Sequence, residues 1–156
     1  MTKEALVKNW PVLILFLILV VGGGLMIGVL TAPSAWYAGL AKPSFNPPNW
    51  LFAPVWTALY VLIAVAGWRA FERDRSGWSL KVWWAQLALN FLWSPLFFTA
   101  RQIGVALGVI LLLLAAILAF IGASWRQDPV AAWLFVPYAA WVGFASALNA
   151  AILALN

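Results

Sequence analysis

Long stretches without a charge alternate with short polar breaks along this chain. Trp10 to Leu30 reads WPVLILFLILVVGGGLMIGVL, and Val105 to Ala123 reads VALGVILLLLAAILAFIGA. Crossing the hydrocarbon of a bilayer takes roughly 20 apolar residues of helix. Five runs approach or exceed that length, at about 10–31, 50–71, 79–100, 103–125 and 129–154. They predict an all-α integral membrane protein, a bundle of five transmembrane helices forming one membrane domain over residues 1–156. Lys3 and Lys8 give the first run the basic start of a signal peptide. Its apolar part is about twice as long as a signal core, and no small-x-small cleavage site follows, so the run reads as a retained helix.

The connections are short except for residues 32–49. A loop longer than about 12–15 residues in a compact domain usually has a function of its own. This one holds Trp36, Tyr37 and Phe45 along with Pro33, Pro43, Pro47 and Pro48. Disordered segments are poor in aromatic residues. The loop is therefore expected to be an ordered lid on the mouth of the bundle. The competing reading is an aromatic anchor in the headgroup layer.

Inside the runs, a few polar residues share faces with aromatic ones. Gln86, Asn90, Trp93, Ser94 and Phe97 recur at steps of three and four, as do Tyr138, Trp141, Ala145, Leu148 and Asn149. Trp56 and Tyr60 are four apart. Such spacing puts each set on one helical stripe. A single amide in a membrane helix is ordinarily interhelical glue, worth about 0.6 kcal/mol. Three stripes that combine amides with Trp and Tyr predict a mostly apolar pocket with a few placed polar groups. Pro95 and Pro137 each remove a helical hydrogen bond and are expected to splay the bundle near that pocket. Gly24 with Gly28, and Gly104 with Gly108, make GxxxG pairs that suit close helix packing, within one chain or in a homodimer. Of the tryptophans, Trp10, Trp78, Trp83 and Trp125 lie near span ends and are expected in the interfacial belt.

Composition sharpens this picture by exclusion. The chain is 66% hydrophobic and 8% charged, against about 25% charged in soluble domains. It contains neither Cys nor His, which removes disulfides, thiolate chemistry, the commonest general base and the usual axial ligand of haem. Glu4, Glu72, Asp74 and Asp128 all lie near the ends of runs, so no carboxylate at mid-span supports a proton-coupled exporter. No nucleophile–base pair, metal cluster or phosphate loop supports conventional catalysis. The net charge of +5 is dispersed and does not read as nucleic-acid binding. Lys3, Lys8, Arg69, Arg73, Arg75, Lys81 and Arg126 fall on one side of a five-span topology, and Lys42 and Arg101 on the other. With a bacterial inner membrane taken as the setting, the positive-inside rule then predicts a cytoplasmic N-terminus.

Three segments carry a family resemblance: WYAGLAKPSFNPPNWLFAPVWTALY from Trp36 to Tyr60, AQLALNFLWSPLFF from Ala85 to Phe98, and PYAAWVGFASALN from Pro137 to Asn149. In content and order they resemble the translocator protein family, also called tryptophan-rich sensory proteins or peripheral-type benzodiazepine receptors. The resemblance implies a five-helix bundle, often dimeric, with a pocket under the first loop that binds porphyrins and synthetic ligands. It carries over Trp36, Tyr37 and Trp50 from the loop, Asn90 and Trp93 from the third helix, and Trp141, Ala145 and Leu148 from the fifth. Ala145 matches the position where a small side chain shapes the pocket wall. The stripes add Tyr60, Phe97 and Tyr138. After Asn149 the chain reads AAILALN. It lacks the Tyr and Arg of the cholesterol-recognition pattern of animal members, which favours a bacterial type.

The leading expectation is a membrane receptor or carrier for porphyrin-type tetrapyrroles, with a sensory or transport role and no obligatory cofactor. Protoporphyrin or haem would be the ligand. Aromatic faces can stack on the disc, and Lys42 or Arg101 could meet its acidic edge. Two alternatives remain. One is an enzyme that breaks down bound porphyrin with light and oxygen, using Trp36, Trp50, Trp93 or Trp141 as redox partners. The other is a membrane scaffold acting through protein contacts.

Overall fold

Charge-free runs have one way to satisfy their backbone in lipid, which is to close every hydrogen bond within the helix. The computed structural model describes residues 9–156 and is built from helices joined by short turns. Helix α1 spans Trp10–Leu30 and contains a π-helical turn at Ile18–Gly22. A short α2, Ala35–Ala38, lies in the long loop. A 3-10 turn at Asn49–Leu51 leads into α3, Phe52–Arg73. Helix α4, Trp78–Ser94, runs on into a π-helical turn at Pro95–Thr99. Helices α5, Ile103–Ser124, and α6, Pro129–Leu155, complete the chain. Six helices are therefore present among the described residues, and four segments (α1, α3 with its 3-10 turn, α5 and α6) are long and apolar enough to cross a membrane. Helix α4 with its π-helical turn is as long as α3 or α5 but less apolar, because it carries Lys81, Gln86 and Asn90 along with Trp78, Trp83, Trp84 and Trp93.

The long helices pack in a ring: α1 on α3, α3 on α6, α6 on α5, α5 on α4, and α4 back on α1. The main core fills the end of the bundle away from the long loop. There Phe120 stacks against Phe135 with centroids 4.2 Å apart, and Phe16 meets the edge of Trp83 at 5.2 Å. A second, smaller core of Tyr37, Phe97, Ala106, Leu148 and Ile152 lies under the loop. Tyr37 comes from α2, so the loop is tied to the bundle by burial. Lys42 Nζ donates to the carbonyls of Tyr37, at 2.7 Å, and Leu40, at 3.2 Å, and lies over the Tyr37 ring. Asn156 holds both backbone groups of Ala41: its Oδ1 accepts from the N–H at 3.0 Å, and its Nδ2 donates to the carbonyl at 2.9 Å.

Three expectations change. Trp83 is not a belt residue: it is 0% exposed, and its indole N–H donates to the Ile63 carbonyl at 2.9 Å. Its ring lies so close to Gly67 that a Cβ there would stand 2.2 Å from it. The missing side chain of Gly67 is what lets a tryptophan turn inward here. Trp10, Trp78 and Trp125 are exposed. The two GxxxG pairs also differ from simple packing motifs. Gly24 sits against the ring of Tyr60, but a Cβ at Gly28 or Gly108 would meet nothing within 4 Å. Finally, Pro137 lies inside an unbroken α6. It leaves the Trp133 carbonyl without its helical donor but does not end the helix.

At the far end of the bundle, Arg69 grips Asp128 with two hydrogen bonds, from Nε at 2.9 Å and from a terminal nitrogen at 2.8 Å. Asp128 also caps α6 by accepting from the Ala131 N–H at 3.3 Å. Asn9 donates to Glu72, joining the start of α1 to the end of α3. Lys3 and Lys8, which enter the orientation argument, and Glu4 lie outside the described residues.

Burial alone would raise the Asp128 pKa. The Arg69 hydrogen bonds, the Ala131 N–H and the charges of Arg69 and Arg73 outweigh it and hold the carboxyl below its usual value. Asp128 therefore stabilises the fold fully above the ordinary carboxylate pKa of about 4. That contribution is lost as pH falls through its lower folded value. Asp128→Ala should cost about 2 kcal/mol, as it removes a cap and strands a half-buried arginine. Asp128→Asn, which keeps the cap, should cost less. Thermal unfolding in detergent as a function of pH measures both.

Gly67→Ala should also destabilise, because overpacking costs about 1–3 kcal/mol against roughly 1 kcal/mol gained in helix propensity. Adding Trp83→Leu should recover part of the lost melting temperature. A Gly67→Ala protein that melts at or above the parental temperature would contradict the close approach.

Candidate functional site

Between the two cores the bundle leaves a cavity of about 730 Å³, bordered by α1, α3, α4, α5, α6 and the long loop. Its walls come from the stripes that recur at helical spacing. Helix α4 supplies Asn90, Trp93 and Phe97, and α6 supplies Trp141, Ala145 and Leu148. Tyr60 enters from α3 and Tyr37 from the loop. These eight expected site residues meet around one space.

Aromatic contacts hold the walls. Trp93 packs on Phe97 with centroids 5.2 Å apart, and the Phe52 ring meets Trp141 edge-on at 5.8 Å. Trp56 lies along Tyr60 at 5.5 Å. Edge and offset contacts of this kind add about 0.5–1.5 kcal/mol beyond burial. They also keep the ring faces in defined directions.

The polar groups form two short chains. Asn90 Nδ2 donates to the Tyr138 hydroxyl at 2.7 Å, which donates to Gln86 Oε1 at 2.8 Å. Trp93 donates to Asn149 Oδ1 at 3.0 Å, and Asn149 Nδ2 donates to the Ile103 carbonyl at 3.0 Å. Both chains link α4 to α6, the second continuing to the start of α5. They brace α4 against α6, with Asn90, Trp93 and Asn149 themselves on the cavity wall. The Trp141 indole N–H is buried without a partner, as is Gln86 Nε2. An unpaired buried donor costs about 1–3 kcal/mol; Trp141 borders the cavity with its ring, while its N–H is shielded within the wall.

Three expected site residues do not border the cavity. Trp50 is 72% exposed and stands on the outer surface at the start of α3. Trp36 packs edge-on against Phe97 at 6.2 Å and lies under the Arg101 guanidinium, supporting the wall from outside. Tyr138 is fully buried within its hydrogen-bond chain. Of the four candidate redox tryptophans, only Trp93 and Trp141 reach the cavity. Lys42 spends its donors on the loop's own carbonyls. Arg101 has no ion pair among the described residues. It holds a left-handed backbone, φ 57°, that places it beside Trp36. Burial raises the Tyr37 phenol above its usual pKa, so it is neutral at physiological pH.

Sequence reasoning missed the α1 wall. Gly24, Gly28 and Thr31 border the cavity, and the Thr31 and Ser94 hydroxyls lie 2.6 Å apart across α1 and α4. Their signal was the glycine pair, which read as packing, and a hydroxyl at the end of an otherwise apolar run. Among the described residues, no group of acidic side chains could hold a metal ion.

Comparison with known proteins identifies the family. The sequence model of the TspO/MBR family matches residues 15–155. The chain is 37% identical to the tryptophan-rich sensory protein of Cereibacter sphaeroides over 148 residues, which is 95% of this chain and 93% of that one. It is 44% identical to the translocator protein of Sus scrofa over 121 residues, 73% and 70% of the two chains. A tryptophan-rich protein of Archaeoglobus fulgidus is 43% identical over 123 residues, 78% and 80% of the two chains. The match runs from the second turn of α1 to the end of α6 and takes in every wall of the cavity, and the chain belongs to the TspO/MBR family of integral membrane proteins.

Proposed function

We propose that this protein is a membrane receptor or carrier that binds porphyrin-type tetrapyrroles in the cavity beneath its long loop, with a sensory or transport role. The cavity itself carries the reading. Its volume of about 730 Å³ falls in the range of about 300–1,000 Å³ typical of small-molecule sites. Its walls are aromatic and its polar groups, among them Asn90, Thr31, Ser94 and Asn149, are few. A flat apolar disc with acidic edges fits that chemistry. The rings would stack on the disc, and the exposed Arg101 would meet an edge carboxylate at the loop end. The names of the relatives, sensory protein and translocator protein, are consistent with binding followed by signalling or transfer.

In this reading α4 with its π-helical turn is a fifth span. The arginines of the far end then face the cytoplasm, and two chains associate as a homodimer. Without His or Cys, ligation of haem iron would fall to Tyr or Met, so metal-free porphyrin is expected to bind at least as well as haem. A second reading, light- and oxygen-dependent breakdown of bound porphyrin, draws on Trp93 and Trp141 at the cavity wall.

Dark titration of the detergent-solubilised protein with protoporphyrin, read by tryptophan quenching, tests the proposal. Saturable binding is expected. Ala145→Phe should weaken it at least about tenfold, since forcing a ring into a formed wall costs about 1–3 kcal/mol. Trp141→Phe should weaken it less, as it trims the aromatic face without filling the cavity. Trp50→Ala should leave the dissociation constant unchanged. Non-saturable quenching, alike in all these proteins, would mean that porphyrin only partitions into the micelle. Loss of the porphyrin spectrum under illumination, dependent on Trp93 and Trp141, would favour the second reading.

A further inference from the structure

Helix α1 changes neighbours half-way along. Trp10–Gly22 packs along α3, whereas Gly23–Leu30 leans on α4. The change comes at Gly24, where a Cβ would stand 2.4 Å from the Tyr60 ring. On the α4 side the contact continues. The Phe91 ring lies 3.0 Å from where a Cβ of Gly23 would be, and Thr31 meets Ser94 at 2.6 Å. On the α3 side it does not. Gly28 faces open space, and Val29 borders the cavity while being 77% exposed. Ala53, across from them on α3, also borders the cavity and is exposed. Exposed residues on both facing segments, with little packing between Gly23–Leu30 and α3 beyond Gly24, mark a break in the wall. The wall is therefore open between the second half of α1 and the first half of α3, and Gly24 on Tyr60 closes the bottom of the gap.

The rim of this gap is Leu25, Gly28, Val29, Ala53, Trp56 and Tyr60, with no charge among them. From Ala53 to Tyr60 it runs along about 10 Å of helix, in a segment apolar enough to lie in lipid. The loop end is closed by different means. Asn156 holds Ala41, Lys42 holds the carbonyls around α2, and Tyr37 is buried in the second core. Passage through the loop would break those bonds, while passage through the gap breaks none.

We propose that the cavity exchanges its ligand sideways with the bilayer, through the gap between α1 and α3. This rests on the reading of the cavity as a ligand site and narrows the ligand to molecules that partition into lipid. A flat apolar ring slides in edge-first past Gly28 and Ala53, with its acidic edge trailing toward the loop end.

The test is stopped-flow exchange of protoporphyrin, in the dark, on protein reconstituted in phosphatidylcholine vesicles. Gly28→Phe and Ala53→Phe each place a ring in the gap, from opposite sides and at open positions. Near-parental melting checks their fold. Both association and dissociation are expected to slow about tenfold or more, within the range over which rates vary among mutants of one site. A ring at position 28 could also turn into the cavity, in which case dissociation speeds up. Ala53→Phe then decides: slow exchange supports the gap, and parental exchange overturns it. Faster exchange in Asn156→Ala, with parental rates in both Phe variants, would place the route through the loop instead. Absence of saturable binding in the parental protein would overturn the tetrapyrrole reading and the route with it. Saturable binding with unchanged rates would overturn the route alone.

Discussion

In hydrocarbon a polar group has no water to fall back on, and most of this structure follows from that constraint. Backbone groups meet it by forming helices. The few polar side chains of the interior meet it by finding one another. Asn90, Tyr138 and Gln86 form one chain across the bundle, and Trp93, Asn149 and the Ile103 carbonyl form another. Each bond is modest on its own. Together they fix the separation of α4 from α6 at the level of the cavity, where apolar packing alone would allow the helices to close up.

The cavity survives because the cores on either side are well filled. Below it, Phe120 on Phe135 and Trp83 over Gly67 leave no slack for collapse. Above it, Tyr37 and Phe97 join the loop to the bundle. Pro95 contributes as well, since the π-helical turn that follows it carries Phe97 into that upper core. Rigid surroundings on both sides make the space between them a lasting feature of the fold.

The two ends of the bundle are held in different ways. The far end relies on charge, through Arg69 with Asp128 and Asn9 with Glu72. The loop end relies on amides, carbonyls and aromatic edges, and its two cations, Lys42 and Arg101, meet carbonyls and ring faces in place of carboxylates. Helix α1 is anchored firmly at its first half and loosely at its second, and the open side of the cavity lies along the loose half.

The stripes of Asn90, Trp93 and Phe97 and of Trp141, Ala145 and Leu148 were legible in the sequence because helical periodicity maps spacing onto a face. So were the apolar runs, since their length and lack of charge answer directly to the thickness of a bilayer. What spacing does not encode is which face meets which neighbour. Trp83, Trp50 and Trp36 all looked like ordinary members of their groups, yet one is buried, one is exposed and one backs a wall. Gly67 decided the first of these, and nothing in its own surroundings along the chain announces that a tryptophan on another helix will lie over it. The α1 wall was missed for the same reason: Gly24 and Gly28 share a motif, but Tyr60 fills the space beside one and leaves the other open. The sequence by itself determined the helices, their apolar character and the faces that carry Trp and amide groups, because these depend on residues close along the chain. Only the tertiary structure decided where the cavity lies, which tryptophans reach it and on which side it opens, because these depend on contacts between helices far apart in sequence.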